Sequence, residues 1–189
     1  SLARAYYPGG IEISELDRIT ALEKTAELLE KENCIIYEAA LSAENYFIRV
    51  DILVKKGNHI RLVEVKAKSY SGNANEGFYT PGGKITSEWE KYLLDIAFQT
   101  HVAVLSFPGF SISPYLMLAD KDSEATVDGL NSLFRITRDK NGWILCEYDI
   151  DMPPEKLGER ILREINVEDE VNYYLGKKYE LQQSKYYFS

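Results

Sequence analysis

Two apolar segments on either side of a glycine–asparagine pair constrain the fold of this chain more than any other feature. They lie in the stretch RVDILVKKGNHIRLVEVKAKS, residues 49–69, and are separated by Gly57 and Asn58. Valine, isoleucine and leucine dominate both segments, which is typical of β-strands with buried side chains. Glycine fits the first central position of a type II′ turn, so the pattern predicts a two-residue β-hairpin.

Each of the two predicted strands also carries a carboxylate. Counting outwards from the turn pairs Lys56 with His59 and brings Asp51 directly opposite Glu64, with their Cβ atoms about 5 Å apart. Lys66 follows on the same strand as Glu64 and at the same parity, so it projects from the same face of the sheet. A slip of one residue would separate the two carboxylates, so the prediction depends on this register.

Two carboxylates that face each other need a physical explanation. Like charges directly opposite one another destabilise a sheet, and apolar neighbours increase the cost. A shared proton or a divalent cation would relieve the repulsion between Asp51 and Glu64, and Lys66 would then serve in proton transfer or charge stabilisation. The alternative is an ordinary ion pair between Asp51 and Lys66, with Glu64 near the rim of the sheet.

The remaining pattern predicts an α/β fold in which a central mixed β-sheet is flanked by helices. Apolar residues recur at helical spacing in 13–32 and again in 86–107, and short strands are expected at 34–41 and 46–55. The predicted order is helix, three strands, helix and strand, followed by a C-terminal hairpin around the Asn-Gly pair at 141–142.

We expect a core over residues 1–150 and a helical, tyrosine-rich extension over 151–189. The extension would dock on the core or on the rest of a larger parent protein, because exposed aromatic clusters mark interfaces. No apolar run approaches the ~20 residues that cross a bilayer. We therefore expect no membrane partner and a cytoplasmic location.

Charge and composition narrow the class of function. The chain of 189 residues has a net charge of −8, which argues against a protein that coats nucleic acid nonspecifically. The predicted hairpin is basic by contrast, and its candidate nucleic-acid contacts are Lys55, Lys56, Arg61 and Lys68. Two cysteines and two histidines are too few for an iron–sulfur cluster or a histidine–cysteine zinc site. Oxygen ligands favour magnesium or manganese.

The pattern of Asp51, twelve intervening residues, and then Glu64-Val65-Lys66 resembles the PD-(D/E)XK nuclease superfamily. The surrounding YEAAL…RVDILVKKGNHIRLVEVKAKS looks more narrowly like the RecB-like branch, which includes the CRISPR-associated RecB-like exonucleases, and like an uncharacterised bacterial group within it. The resemblance covers roughly residues 14–105 and implies a restriction-endonuclease-like core.

The resemblance also implies a role for each residue of the motif. Asp51 and Glu64 would bind Mg²⁺ or Mn²⁺, with the carbonyl of Val65 as a third oxygen ligand. Lys66 would position or activate the attacking water and stabilise the pentavalent phosphate. RecB-like members carry a glutamine on the following helix, and Gln99 matches it.

Three departures from the family pattern concern substrate handling. Ala103 stands where RecB-like members have a tyrosine, and the first helix lacks the histidine of many relatives. The cysteines of the iron–sulfur relatives are absent as well.

Glu38 is a candidate additional carboxylate with two alternative positions. If Leu41 pairs with Tyr46, Glu38 lies opposite Arg49 and forms a salt bridge. If the register shifts by two residues, Glu38 faces Asp51 and joins the metal site.

The sequence thus leads to three functional hypotheses. The first is a metal-dependent nuclease domain that hydrolyses DNA within a DNA-processing or DNA-repair protein. The second is an inactive nucleic-acid-binding module that keeps the nuclease fold. The third is an interaction domain in which Asp51 and Lys66 form only an ion pair.

Overall fold

The predicted hairpin lies at the centre of a six-stranded β-sheet. Its strands are β3 (Tyr46–Lys56) and β4 (His59–Tyr70), and Gly57 turns between them with a φ of 55°, where a side chain would be strained. The ladder runs in the register counted from the turn as far as Ile52 and Val63. The predicted register is therefore confirmed along this part of the hairpin.

The computed structural model describes residues 1–72, 77–140, 142, 144–149 and 152–176. The helices are α1 (Leu2–Ala5), α2 (Arg18–Leu29), α3 (Ser87–Ser106) and α4 (residues 168–176), with 3₁₀ turns at Leu130–Leu133 and Pro154–Leu157. The other strands are β1 (Ile11–Glu12), β2 (Asn33–Ala43), β5 (Ser111–Asp120), β6 (Arg135–Arg138), β7 (Ile144–Glu147) and β8 (Leu162–Asn166).

The strand order confirms the predicted α/β class with a central mixed sheet flanked by helices. Its six strands are arranged β1-β2-β3-β4-β5-β8. The pairs β1–β2 and β4–β5 are parallel, and the other three pairs are antiparallel. Strands β6 and β7 form a separate antiparallel hairpin, as the Asn-Gly pair predicted.

Helix α2 begins later than the apolar pattern suggested. Asp17 caps it, because the Asp17 carboxylate accepts a hydrogen bond from the N–H of Thr20 at 2.8 Å. The helix buries Ala21 and Thr25, and the Thr25 hydroxyl accepts a hydrogen bond from the backbone N–H of Ala40 in β2. This contact fixes α2 against the sheet.

Both faces of the sheet are covered, so alternate residues of the central strands enter different cores. Leu53 and Leu62 pack in the larger core, which also contains the buried side chains of α3. Ile52 and Val63 lie in the second core, against the N-terminal segment and the 3₁₀ turn that ends at Leu157. This alternation follows from the pleat of the strands.

The C-terminal part of the described chain completes the sheet. Within the segment that was expected to be a helical extension, residues 162–166 form β8, in which Glu164 pairs with Met117 of β5. Val167 and Val171 enter the larger core. Residues 177–189, with most of the tyrosines of the predicted extension, lie outside the described residues. Among the helices of the described chain, none has the length and apolarity of a membrane span.

Candidate active site

Strands β3 and β4 separate at the position of the first carboxylate. The ladder ends at the pair of Ile52 and Val63. Next to this pair, Oδ2 of Asp51 accepts a hydrogen bond from the backbone N–H of Val65 at 2.8 Å. A backbone N–H inside a sheet needs an acceptor, and here a side chain provides it. Asp51 is therefore held against β4 at the point where the strands diverge.

Glu64 has a partner for each of its carboxylate oxygens. Oε1 accepts a hydrogen bond from Nζ of Lys66 at 2.6 Å, and Oε2 accepts one from Nε2 of Gln99 at 2.8 Å. Only 6% of Glu64 is exposed. Strand β4 and helix α3 thus bring three of the predicted site residues into direct contact.

Lys66 has a second carboxylate partner that the sequence did not reveal. Its Nζ donates to Oδ2 of Asp95 at 2.6 Å, in addition to Glu64. Asp95 precedes Gln99 by one helical turn of α3, and Nε2 of Gln99 lies 3.5 Å from Oδ1 of Asp95. Residues four apart share a helix face, so the position of Gln99 could have indicated Asp95.

The environment shifts the pKa of each central ionisable group. Burial raises the pKa of Asp51, against the opposing effect of the Val65 N–H. Burial also raises the pKa of Glu64, and the charge of Asp51 adds to this shift. Burial alone would lower the pKa of Lys66, but its bonds to Asp95 and Glu64 raise it above the usual value. Lys66 is therefore an ammonium ion, whereas the raised pKa values of Asp51 and Glu64 mean that these two carboxyl groups ionise less readily than usual.

The donor atoms of the site suit a hard divalent cation. The predicted ligands are the carboxylates of Asp51 and Glu64, the carbonyl of Val65 and, as a candidate addition, the carboxylate of Glu38, and all are oxygens. A cation between the carboxylates would offset the repulsion that raises the pKa of Glu64. Among the described residues, no group of three or more His, Cys, Asp or Glu side chains is arranged for a metal ion. Glu38 is engaged with Arg4 and Arg49, so two carboxylates of the predicted set are left for the ion, a number that fits Mg²⁺ because this ion keeps several waters.

Glu38 combines features of both positions that the sequence allowed. Pairing of Ala39 with Val50 gives the shifted register, which sets Glu38 opposite Asp51. Glu38 has a φ of 55°, in the left-handed region, and its carboxylate bonds to Arg4 at 2.7 Å. It also lies 3.9 Å from the guanidinium of Arg49. Glu38 is thus near Asp51 but engaged with two arginines.

A cavity of about 550 Å³ opens beside Asp51. Its walls include Arg4, Glu12, Glu38, Asp51, Ile144 and Glu147. The N-terminal segment and β7 thus contribute to the surroundings of the site, although no motif in the sequence pointed to them.

The predicted nucleic-acid contacts do not gather around the carboxylates. Lys55 is only 8% exposed, and its ammonium donates to the carbonyl of Lys31 at 2.6 Å. Lys55 and the exposed Lys56 precede the turn, roughly 13–17 Å along β3 from Asp51.

The other two basic residues also have protein partners. Arg61 forms an ion pair with Glu164 and lies 4.4 Å from the ring centre of Tyr115. Lys68 pairs with Glu88 and lies 4.6 Å from a ring centre of Trp89. Lys68 follows Lys66 on β4 and is the basic residue of the four that is closest in sequence to the site.

Comparison of the chain with protein-family models, with curated proteins and with solved structures finds no match. The PD-(D/E)XK resemblance therefore depends on the motif residues and on their sequence context. The position of the family tyrosine is occupied by Ala103, which is fully buried in α3.

Proposed function

We propose that this chain is a metal-dependent nuclease domain that hydrolyses phosphodiester bonds in DNA. One observation carries the proposal: Asp51, Glu64, Lys66 and Gln99 converge where β3 and β4 separate. The motif resemblance predicts the same four residues. The domain would act in the cytoplasm within a larger DNA-processing protein.

The resemblance implies a role for each residue, and the contacts support it. Asp51, Glu64 and the carbonyl of Val65 would hold the metal ion. Bound Mg²⁺ or Mn²⁺ supplies Lewis acidity towards the phosphoryl oxygen and lowers the pKa of a coordinated water. Lys66 offers a positive charge for the developing negative charge on phosphate. Gln99 orients Glu64 through its 2.8 Å hydrogen bond.

Asp95 is a second anchor for the ammonium group of Lys66, which bonds to Glu64 and Asp95 at the same time. Both oxygens of Glu64 have protein partners, so a ligand at Oε1 competes with Lys66. The bond to Asp95 would hold Lys66 when a ligand displaces it from Glu64. The ammonium ion therefore stays charged and close to the site.

Cleavage of labelled DNA in Mg²⁺ or Mn²⁺ tests the proposal. We expect Asp51→Asn, Glu64→Gln and Lys66→Ala each to reduce the cleavage rate at least a hundredfold. Glu23→Gln changes an exposed carboxylate on α2 and should cut like wild type. Wild-type cleavage by all three site variants would show that the assignment of the site is wrong.

The inactive binding module is the second candidate function. Two observations favour it: the Lys66 ammonium is shared by two carboxylates, and Ala103 replaces the family tyrosine. This candidate predicts DNA binding that weakens steeply with salt, without cleavage in either metal. Wild-type protein that binds and cuts DNA excludes it.

A further inference from the structure

Arg4 faces the cavity beside Asp51. Its Nη1 donates to Oε1 of Glu12 at 2.6 Å, and its Nη2 donates to Oε1 of Glu38 at 2.7 Å. The guanidinium carbon lies 5.2 Å from the ring centre of Tyr37. Among the described residues that line this cavity, Arg4 contributes the one cationic side chain.

The position of Arg4 is built by the packing of the N-terminal segment on Tyr37. The Tyr37 hydroxyl donates to the backbone carbonyl of Tyr7 and lies 3.1 Å from that of Arg4. The ring fits because Gly10 has no side chain, since a Cβ there would lie 2.2 Å from Cζ of Tyr37. Residues from β2 and from the segment that follows α1 thus fix the arginine at the cavity wall.

The ion pair of Arg4 with Glu12 contributes too little to stability to explain why the arginine is held at the cavity wall. The Glu12 side chain is 52% exposed and that of Glu38 is 33% exposed. The pair with Glu12 is exposed and adds little to stability, so an anionic ligand can replace Glu12 at small cost, whereas the part-buried pair with Glu38 is kept. Replacement of Glu12 frees Nη1 for a phosphate oxygen, while Nη2 keeps its bond to Glu38 and holds the guanidinium in place.

We propose that Arg4 binds a backbone phosphate of a DNA strand in this cavity, and that the phosphate replaces Glu12 on the guanidinium. The proposal depends on the nuclease function proposed above, because that function supplies the ligand. The carboxylates of Glu12, Glu38, Asp51 and Glu147 all line the same cavity. Their charges oppose a phosphate, so binding should need a divalent cation in the buffer.

Fluorescence anisotropy with a labelled DNA oligonucleotide, in calcium and over a series of salt concentrations, tests the contact. We expect Arg4→Gln to raise Kd about tenfold and to reduce the slope of log K against log salt by about one. Arg4→Lys keeps the charge but loses the paired donors, so it should restore the slope and only part of the affinity. A purely structural role would not change the slope.

The control is Arg18→Gln. Arg18 is an exposed arginine outside the cavity that donates to the hydroxyl of Ser42. We expect this variant to keep the wild-type slope and a Kd within twofold of wild type. A thermal melt of each variant shows whether it is folded.

Two glutamate variants test whether phosphate replaces Glu12 on Arg4, and they leave Arg4 itself unchanged. Glu12→Gln and Glu147→Gln each remove one negative charge from the cavity wall, but only Glu12 bonds to Arg4. Glu147 instead accepts from the hydroxyl of Thr137 at 3.1 Å. We expect Glu12→Gln to lower Kd more than Glu147→Gln, and equal effects would overturn the exchange.

The outcomes separate this inference from the proposed function. If wild type binds and cuts DNA while folded Arg4→Gln keeps its Kd and slope, the role of Arg4 is wrong and the nuclease function stands. If wild type neither binds nor cuts DNA, the proposed function fails, and the inference fails with it.

Discussion

At the scale of single residues, the two central carboxylates destabilise the folded chain. The pKa of both Asp51 and Glu64 is raised, chiefly by burial. Such a group keeps its proton to a higher pH in the native state than in the unfolded state. The native state then binds more protons, so the free energy of unfolding falls as pH rises above the ordinary carboxyl pKa. At neutral pH the charged site therefore costs stability.

We expect Asp51→Asn to raise Tm at neutral pH in a buffer that contains a chelator. Asparagine retains an oxygen that accepts the Val65 N–H but removes the buried charge. Each kcal/mol gained should raise Tm by about 2–4 °C. The gain should shrink as the pH approaches about 4, the ordinary pKa of aspartic acid, because the wild-type carboxyl is then protonated too. Thermal melts from neutral to acidic pH measure it.

Manganese provides the control for this experiment. An ion at a hundred times its Kd stabilises the protein that binds it by about 2.7 kcal/mol. Wild type should therefore gain stability on addition of Mn²⁺, whereas Asp51→Asn should not. If the stability difference between the two proteins changes neither with pH nor with Mn²⁺, the charge of Asp51 is not its cause.

The candidate site could be selected from the sequence because the positions of its central residues follow from one turn. Counting along two strands from Gly57 selects Asp51, Glu64 and Lys66, and the register that it assumes is confirmed as far as Ile52 and Val63. The position of Arg4 could not be predicted from the sequence, because its contact with Glu38 spans 34 residues and depends on how the N-terminal segment packs. Short-range periodicity carries no information about such a contact.

At the scale of elements, the N-terminal segment depends on the contact between Gly10 and Tyr37. The Tyr37 side chain is 2% exposed, so its ring has little room to move. A Cβ at Gly10 would overlap the ring at 2.2 Å. We expect Gly10→Ala to lower the free energy of unfolding by about 1–3 kcal/mol, as overpacking does, and a denaturant titration measures this.

The matched control for Gly10→Ala is Gly77→Ala. A Cβ at Gly77 would meet no atom within 4 Å, and the backbone there does not require positive φ. This variant should change stability by no more than about 0.5 kcal/mol. Equal stability of the two variants would contradict the close packing of Gly10 on Tyr37.

At the scale of the whole molecule, one edge strand of the sheet comes from the C-terminal part of the described chain. Strand β8 pairs with β5. Its residues LREIN lack the clear apolar pattern of the central hairpin. A short strand with weak patterning gives little signal on its own. The sequence therefore predicted the centre of the sheet and its class correctly, but its order at this edge came from tertiary pairing.

The edge strand leads to the final prediction, which compares chains that end at residue 160 and at residue 176. The shorter chain lacks β8 and the two valines at 167 and 171, which are at most 1% exposed. Burial of each valine contributes about 1.5–3 kcal/mol, a large share of the 5–15 kcal/mol of a typical domain. An unpaired β5 would also expose backbone groups that promote aggregation. Circular dichroism and gel filtration should show that the shorter chain is unfolded or aggregated, and equal Tm values would show that β8 is dispensable.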